Sequence, residues 1–178
     1  MITDRIKEDL KKRGRRKPLS PPPLNFKGLI KLLESSDIEF VDSVLREARG
    51  MATIDKVHLN MDSLYNDDDK MFFFVILHEY CHGLRIKKMG KDAMITALSL
   101  DEFDDMAEHV IYEELLADRY ASLKYYQLNK ELFPFYRTQR LNETIQRVNY
   151  KNRIKPLHGV IQNSEEKYNE LMNSFIIG

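Results

Sequence analysis

His78-Glu79-Tyr80-Cys81-His82 is the stretch with the clearest chemistry. The spacing is H-E-x-x-H. On a helix, residues four apart share a face, so two imidazoles at 78 and 82 can grip one metal ion. Glu79 follows the first imidazole directly and cannot easily ligate the same ion. It can reach an activated water instead, which is the place of a general base.

Two histidines do not complete such a site. A catalytic zinc centre uses three protein ligands and keeps one position open. The third ligand is expected from Tyr112-Glu113-Glu114-Leu115-Leu116-Ala117-Asp118-Arg119-Tyr120-Ala121. Glu114 and Asp118 are four apart and share a face. A carboxylate at Glu114 would close a two-His, one-Glu set. Asp118, one turn on, would accept a hydrogen bond from the free ring N–H of a ligand histidine and fix its tautomer. Glu113, on a neighbouring face, and His109 are the rival ligands. His109 and His58 also read as ordinary surface or cleft-edge histidines. Cys81 points away from both motif imidazoles and reads as a small packing residue. An anionic tetrahedral intermediate needs a second donor, and Tyr120, Tyr150 and His158 are the candidates. His158 lies between Pro156 and Gly159, in an expected loop, where a plain surface histidine would also be at home.

The motif could fall on a solvated helix by chance. However, it extends the apolar run Met71-Phe72-Phe73-Phe74-Val75-Ile76-Leu77. Burying unpaired imidazoles and a carboxylate there would be costly, and a metal removes that cost. The expected motif helix runs from about residue 68 to 88. Asp67, Asp68 and Asp69 suit its N-terminus, Lys87 and Lys88 its last turn, and Gly90 its stop. A second long helical pattern spans about 101–132 and ends before Pro134. Before the motif helix, Val57, Leu59 and Met61 alternate with His58 and Asn60, which predicts a half-buried strand over 56–61.

These residues carry a family resemblance. His78-Glu79-x-x-His82 followed by Glu114-x-x-Ala117-Asp118-x-x-Ala121 resembles the gluzincin arrangement of zincin metallopeptidases. It is most similar to the small ImmA/IrrE-like intracellular metallopeptidases. The resemblance covers roughly residues 50–125. It implies one Zn²⁺ per chain held by His78, His82 and Glu114, Glu79 as base, hydrolysis of a protein or peptide, and a substrate strand lying antiparallel to the edge of the strand near Val57–Met61. The implied fold is α+β and mostly helical: a minimal zincin-like domain with a small sheet or edge strand on the motif helix and a second ligand-bearing helix. There is no sign of the repressor-like DNA-binding domain that some relatives carry.

The remaining chain is less specific. Residues 1–23 read as a basic arm, rich in Arg and Lys between positions 5 and 17, followed by a Pro-rich linker; 24–178 read as a single domain with a C-terminal helical extension. A short helix through Ile6 and Leu10 fits within the arm. The arm reads either as a solvated tail or as an attachment to nucleic acid or another acidic partner. A short amphipathic helix is expected over 26–33. A second one is expected from Ser36, with Glu39 at capping-box spacing, a stripe of Ile38, Val41, Leu45 and Ala48, and Gly50 just past its end. Further helices are expected over 136–155 and after Ser164.

Overall composition adds bounds. At 178 residues, 43% hydrophobic and 31% charged, the chain fits a globular domain rather than a disordered one. Its 28 basic and 28 acidic residues cancel, so net charge favours neither nucleic acid nor membrane. The lone Cys81 excludes an internal disulfide and fits a reducing compartment. No signal peptide or spanning segment is evident, so the expected location is the cytoplasm, or a host cytoplasm for a viral protein. The principal alternative to a peptidase is a non-catalytic zinc-binding regulatory or nucleic-acid-associated module.

Overall fold

A computed structural model describes residues 1–16, 24–46, 48–89 and 103–133, the side chains of 89, 103–112 and 115 excepted. The fold is α+β and mostly helical. In chain order it comprises α1 (Asp4–Arg15), α2 (Phe26–Glu34), β1 (Glu39–Asp42), β2 (Gly50–Ala52), β3 (Lys56–Leu59), α3 (Met61–Leu64), α4 (Asp69–Met89) and α5 (Phe103–Asn129). The Pro-rich linker, the expected helices beyond Pro134, Tyr150, His158 and the side chain of His109 lie outside the described residues.

The strands form one sheet in the order β1-β3-β2. β1 runs parallel to β3 and β2 antiparallel to it. β3 is therefore the central strand and has no free edge, contrary to its expected role as the edge strand. Its alternation is as read: Val57 and Leu59 are fully buried, whereas Lys56 and His58 are half-buried. Met61 falls outside the strand and opens α3, because Asn60 caps that turn by accepting from Ser63 N.

The helix expected from Ser36 to Gly50 is absent. Ser36 does not cap it; its hydroxyl instead accepts from Ile38 N at 3.1 Å. Ile38 and Phe40 are both buried, a period of two rather than 3.6. Phe40 was not part of the helical stripe, and it lies beside Val57 in the core. The chain that follows is held open by Asn60, whose amide donates to Leu45 O at 2.8 Å. Val44 is 90% exposed. Gly50 opens β2 rather than closing a helix.

Nor do the first sixteen residues form a detached arm. Ile6 and Leu10 are fully buried in α1, which packs on α2 and β1. Ile2 bridges Phe40, with Thr3 N donating to Phe40 O and Phe40 N to Met1 O, so the outer edge of β1 is covered. Arg13 is fully buried and bonds Asp9, Asp69 and the carbonyls of Leu64, Tyr65 and Asp67. Its guanidinium also lies 3.8 Å from the Phe72 ring centroid. Arg5, Lys7, Lys11 and Arg16 pair with acids as well. Much of the basic charge of this segment is therefore matched within the domain.

α4 is the central element. Asp68 caps it by accepting from Met71 N at 2.8 Å, and Lys87 and Lys88 occupy its last turn. Phe72 to Leu77 are all buried, so its first turns are enclosed on every side. One face lies on the sheet, where Gly83 leaves room for Val57 and Ile38. Another faces α5 over a long contact. No helix of the described residues is long and apolar enough to cross a membrane.

Candidate metal centre

The site forms where α4 meets α5. α4 presents His78 and His82 on successive turns, and α5 presents Glu114 opposite them. The Nε2 atoms of the two histidines stand 3.0 Å apart. Glu114 Oε2 is 3.4 Å from His78 Nε2, and Glu114 Oε1 is 3.3 Å from His82 Nε2. Among the described residues these three form the one group of His, Cys, Asp or Glu able to hold a metal ion.

The three residues could hold a metal ion, and their donor types are ones zinc accepts. Ligand atoms about 2.0–2.2 Å from a tetrahedral zinc are about 3.3–3.6 Å from one another. One Glu114 oxygen faces each imidazole at about that spacing, and the His–His separation is a few tenths of an ångström short of it. Two neutral nitrogens and one carboxylate oxygen are donors that zinc accepts, and they leave a fourth position for water or substrate.

Asp118 lies behind His78. Its Oδ1 accepts from His78 Nδ1 at 2.8 Å, and its side chain is almost wholly buried. The bond presents His78 Nε2 towards Glu114, the tautomer and orientation that a ligand requires. Burial alone would lower the proton affinity of His78, but the hydrogen bonds to Asp118 and Glu114 outweigh it, and the pKa is pushed from 6.5 up to about 10. Burial would likewise raise Glu114, yet contact with the two histidines holds its carboxyl well below the usual carboxylate range. The same carboxylates that would share a cation thus favour a proton on His78.

The rival Glu113 is engaged elsewhere. Arg85 Nε and Nη2 clasp its carboxylate in a two-point contact, with the Nε bond at 2.9 Å. The clasp joins α4 to α5 one turn beyond His82 and thereby helps align Glu114. Sequence reading missed Arg85, although its three-residue spacing from His82 was a usable signal.

Glu79 is half-buried on the sheet side of α4, with its side chain against Gly50 of β2. Tyr120 meets Tyr80 edge-on, with Lys124 over its ring. His58 bonds Ser43 Oγ through Nδ1 at 2.9 Å and is not one of the three grouped residues. Cys81 is buried, and burial pushes its thiol up to about 12, which suits a packing residue rather than a nucleophile. The Phe74 ring stacks on Phe133 at 4.3 Å and flanks His78, giving the site an aromatic wall.

No family model, curated protein or solved structure matches the chain significantly.

Proposed function

We propose that the chain is a zinc-dependent metallopeptidase of the gluzincin type, hydrolysing peptide bonds in a protein or peptide substrate. The observation that carries this reading is the convergence of His78, His82 and Glu114, with Asp118 behind the first imidazole. In this role His78, His82 and Glu114 hold the ion. When bound, zinc supplies a water of lowered pKa and a Lewis acid for the scissile carbonyl. Glu79 would serve as the base, its carboxylate taking a proton from the attacking water and passing it to the departing amine. Asp118 keeps His78 in the ligating tautomer.

The substrate strand belongs on β2 rather than at Val57–Met61. The hydrogen bonds Asn60 N to Arg49 O and Thr53 N to Lys56 O set residues 49, 51 and 53 in hydrogen-bonded pairs with β3. The N–H and C=O of Gly50 and Ala52 then point outward. Among the described residues no further strand pairs with that edge. An extended peptide added there would pass beside Glu79. A reducing, cytoplasmic setting suits the lone buried thiol.

The deciding experiment compares the wild-type protein with Glu79→Gln. Both should carry about one zinc per chain. The wild type should cleave members of a broad peptide library, and the variant should lose about 10²–10⁴-fold in kcat. A fully zinc-loaded wild type that cleaves nothing would leave the domain as a zinc-binding regulatory module.

A further inference from the structure

We propose that Gly50 is a positioning residue for Glu79: the missing side chain at the start of β2 is the space in which the carboxylate of the general base is held. The proposal rests on the peptidase reading of Glu79.

A Cβ placed on Gly50 would run into Glu79 Cγ, and would stand 2.7 Å from Cδ and 3.0 Å from Oε1. All three of its nearest neighbours belong to this one side chain, and they extend to the carboxylate itself. The usual reason for a glycine does not apply. The backbone at Gly50 lies outside the left-handed region, so an alanine could adopt it without strain. Gly28 and Gly83 differ: a Cβ at Gly28 would meet the capping side chain of Asn25, and one at Gly83 would meet Val57 and Ile38. Among the described glycines, Gly50 alone borders the proposed base.

The two elements involved are fixed. β2 is held to β3 through residues 49–60 to 53–56. α4 is held to the sheet at Gly83 and to α5 by Arg85 and Glu113. Neither backbone can retreat cheaply, so a methyl group at position 50 must swing the Glu79 carboxylate aside. His78 and His82 face α5 and should not be disturbed. The substitution therefore separates base placement from metal binding.

The test is a four-protein cycle of full-length chains: wild type, Gly50→Ala, Glu79→Ala and the double variant. Thermal unfolding is measured on each, metal-free and zinc-loaded, together with zinc affinity by chelator competition. Gly50→Ala should lower Tm by about 1–3 °C in the wild-type background, the cost of swinging one half-buried side chain aside. With Glu79 truncated, the same change should be neutral or slightly stabilising, because alanine restricts the unfolded chain. Should Gly50→Ala alone fail to fold, recovery of the fold in the double variant gives the same answer. Zinc affinity should stay within about threefold, since no ligand moves. On a cleaved peptide, kcat should fall about 10–100-fold with KM nearly unchanged. An equal Tm change in both backgrounds, or an unaltered kcat, would overturn the proposal. Absence of cleavage by the zinc-loaded wild type would overturn the peptidase reading instead, while the Tm cycle would still decide the contact.

Discussion

Asp118 and Glu114 raise the proton affinity of His78, whereas a metal ligand must offer a lone pair. Zinc binding therefore has to displace a proton from His78, and affinity should rise with pH until His78 is neutral near pH 10. Calorimetry at pH 8 in buffers of differing ionisation enthalpy should detect release of about one proton per zinc. Asp118→Asn keeps an acceptor but removes the negative charge that raises the His78 pKa, so the variant should release a smaller fraction. It should also bind zinc about 10-fold more weakly through the lower basicity of the ligand. The sign for stability is opposite. The folded His78 binds its proton more tightly than an ordinary histidine at 6.5. Its contribution to the metal-free fold is therefore complete below about 6.5 and lost as pH rises towards about 10. Denaturant midpoints of the metal-free chain across that range are the check.

Among the elements, the helices were the most legible and the first half of the sheet the least. α4 runs from Asp69 to Met89 against an expected 68–88, because an Asp cap, an apolar run and terminal lysines all agree. α5 is nearly as close. The segment from Ser36 to Gly50 failed because two periods coexist in it. Ile38, Val41 and Leu45 satisfy a helix, while Ile38 and Phe40 satisfy a strand, and pairing with β3 decided between them. Arg13 was misjudged for a related reason. A run of cations reads as solvated, yet this one is surrounded by partners drawn from more than fifty residues along the chain. Replacing Arg13 by alanine would strand those carbonyls and carboxylates. The expected loss is about 3 kcal/mol, measured by urea denaturation. A solvated arm would lose almost nothing.

At the scale of the molecule, both halves of the candidate site were legible from spacing alone, because i, i+4 pairs on helices keep their geometry in any fold. What held them together was not. The Arg85–Glu113 clasp, the covered edge of β1 and the place of Gly50 beside Glu79 all depend on contacts between distant segments, which no local period records. The covered β1 edge also leaves the edge of β2, beside Glu79, as the strand open to pairing among the described residues.

With its candidate ligands on both α4 and α5, a bound zinc would cross-link segments far apart in the chain. A ligand that binds only the assembled pair stabilises it in proportion to the logarithm of its free concentration, about 1.4 kcal/mol for each tenfold rise above Kd. Thermal unfolding at graded free zinc, set by a chelator buffer, should therefore show Tm climbing steadily, and His82→Ala should flatten the slope. On that reading the stability of the domain would follow the free zinc around it.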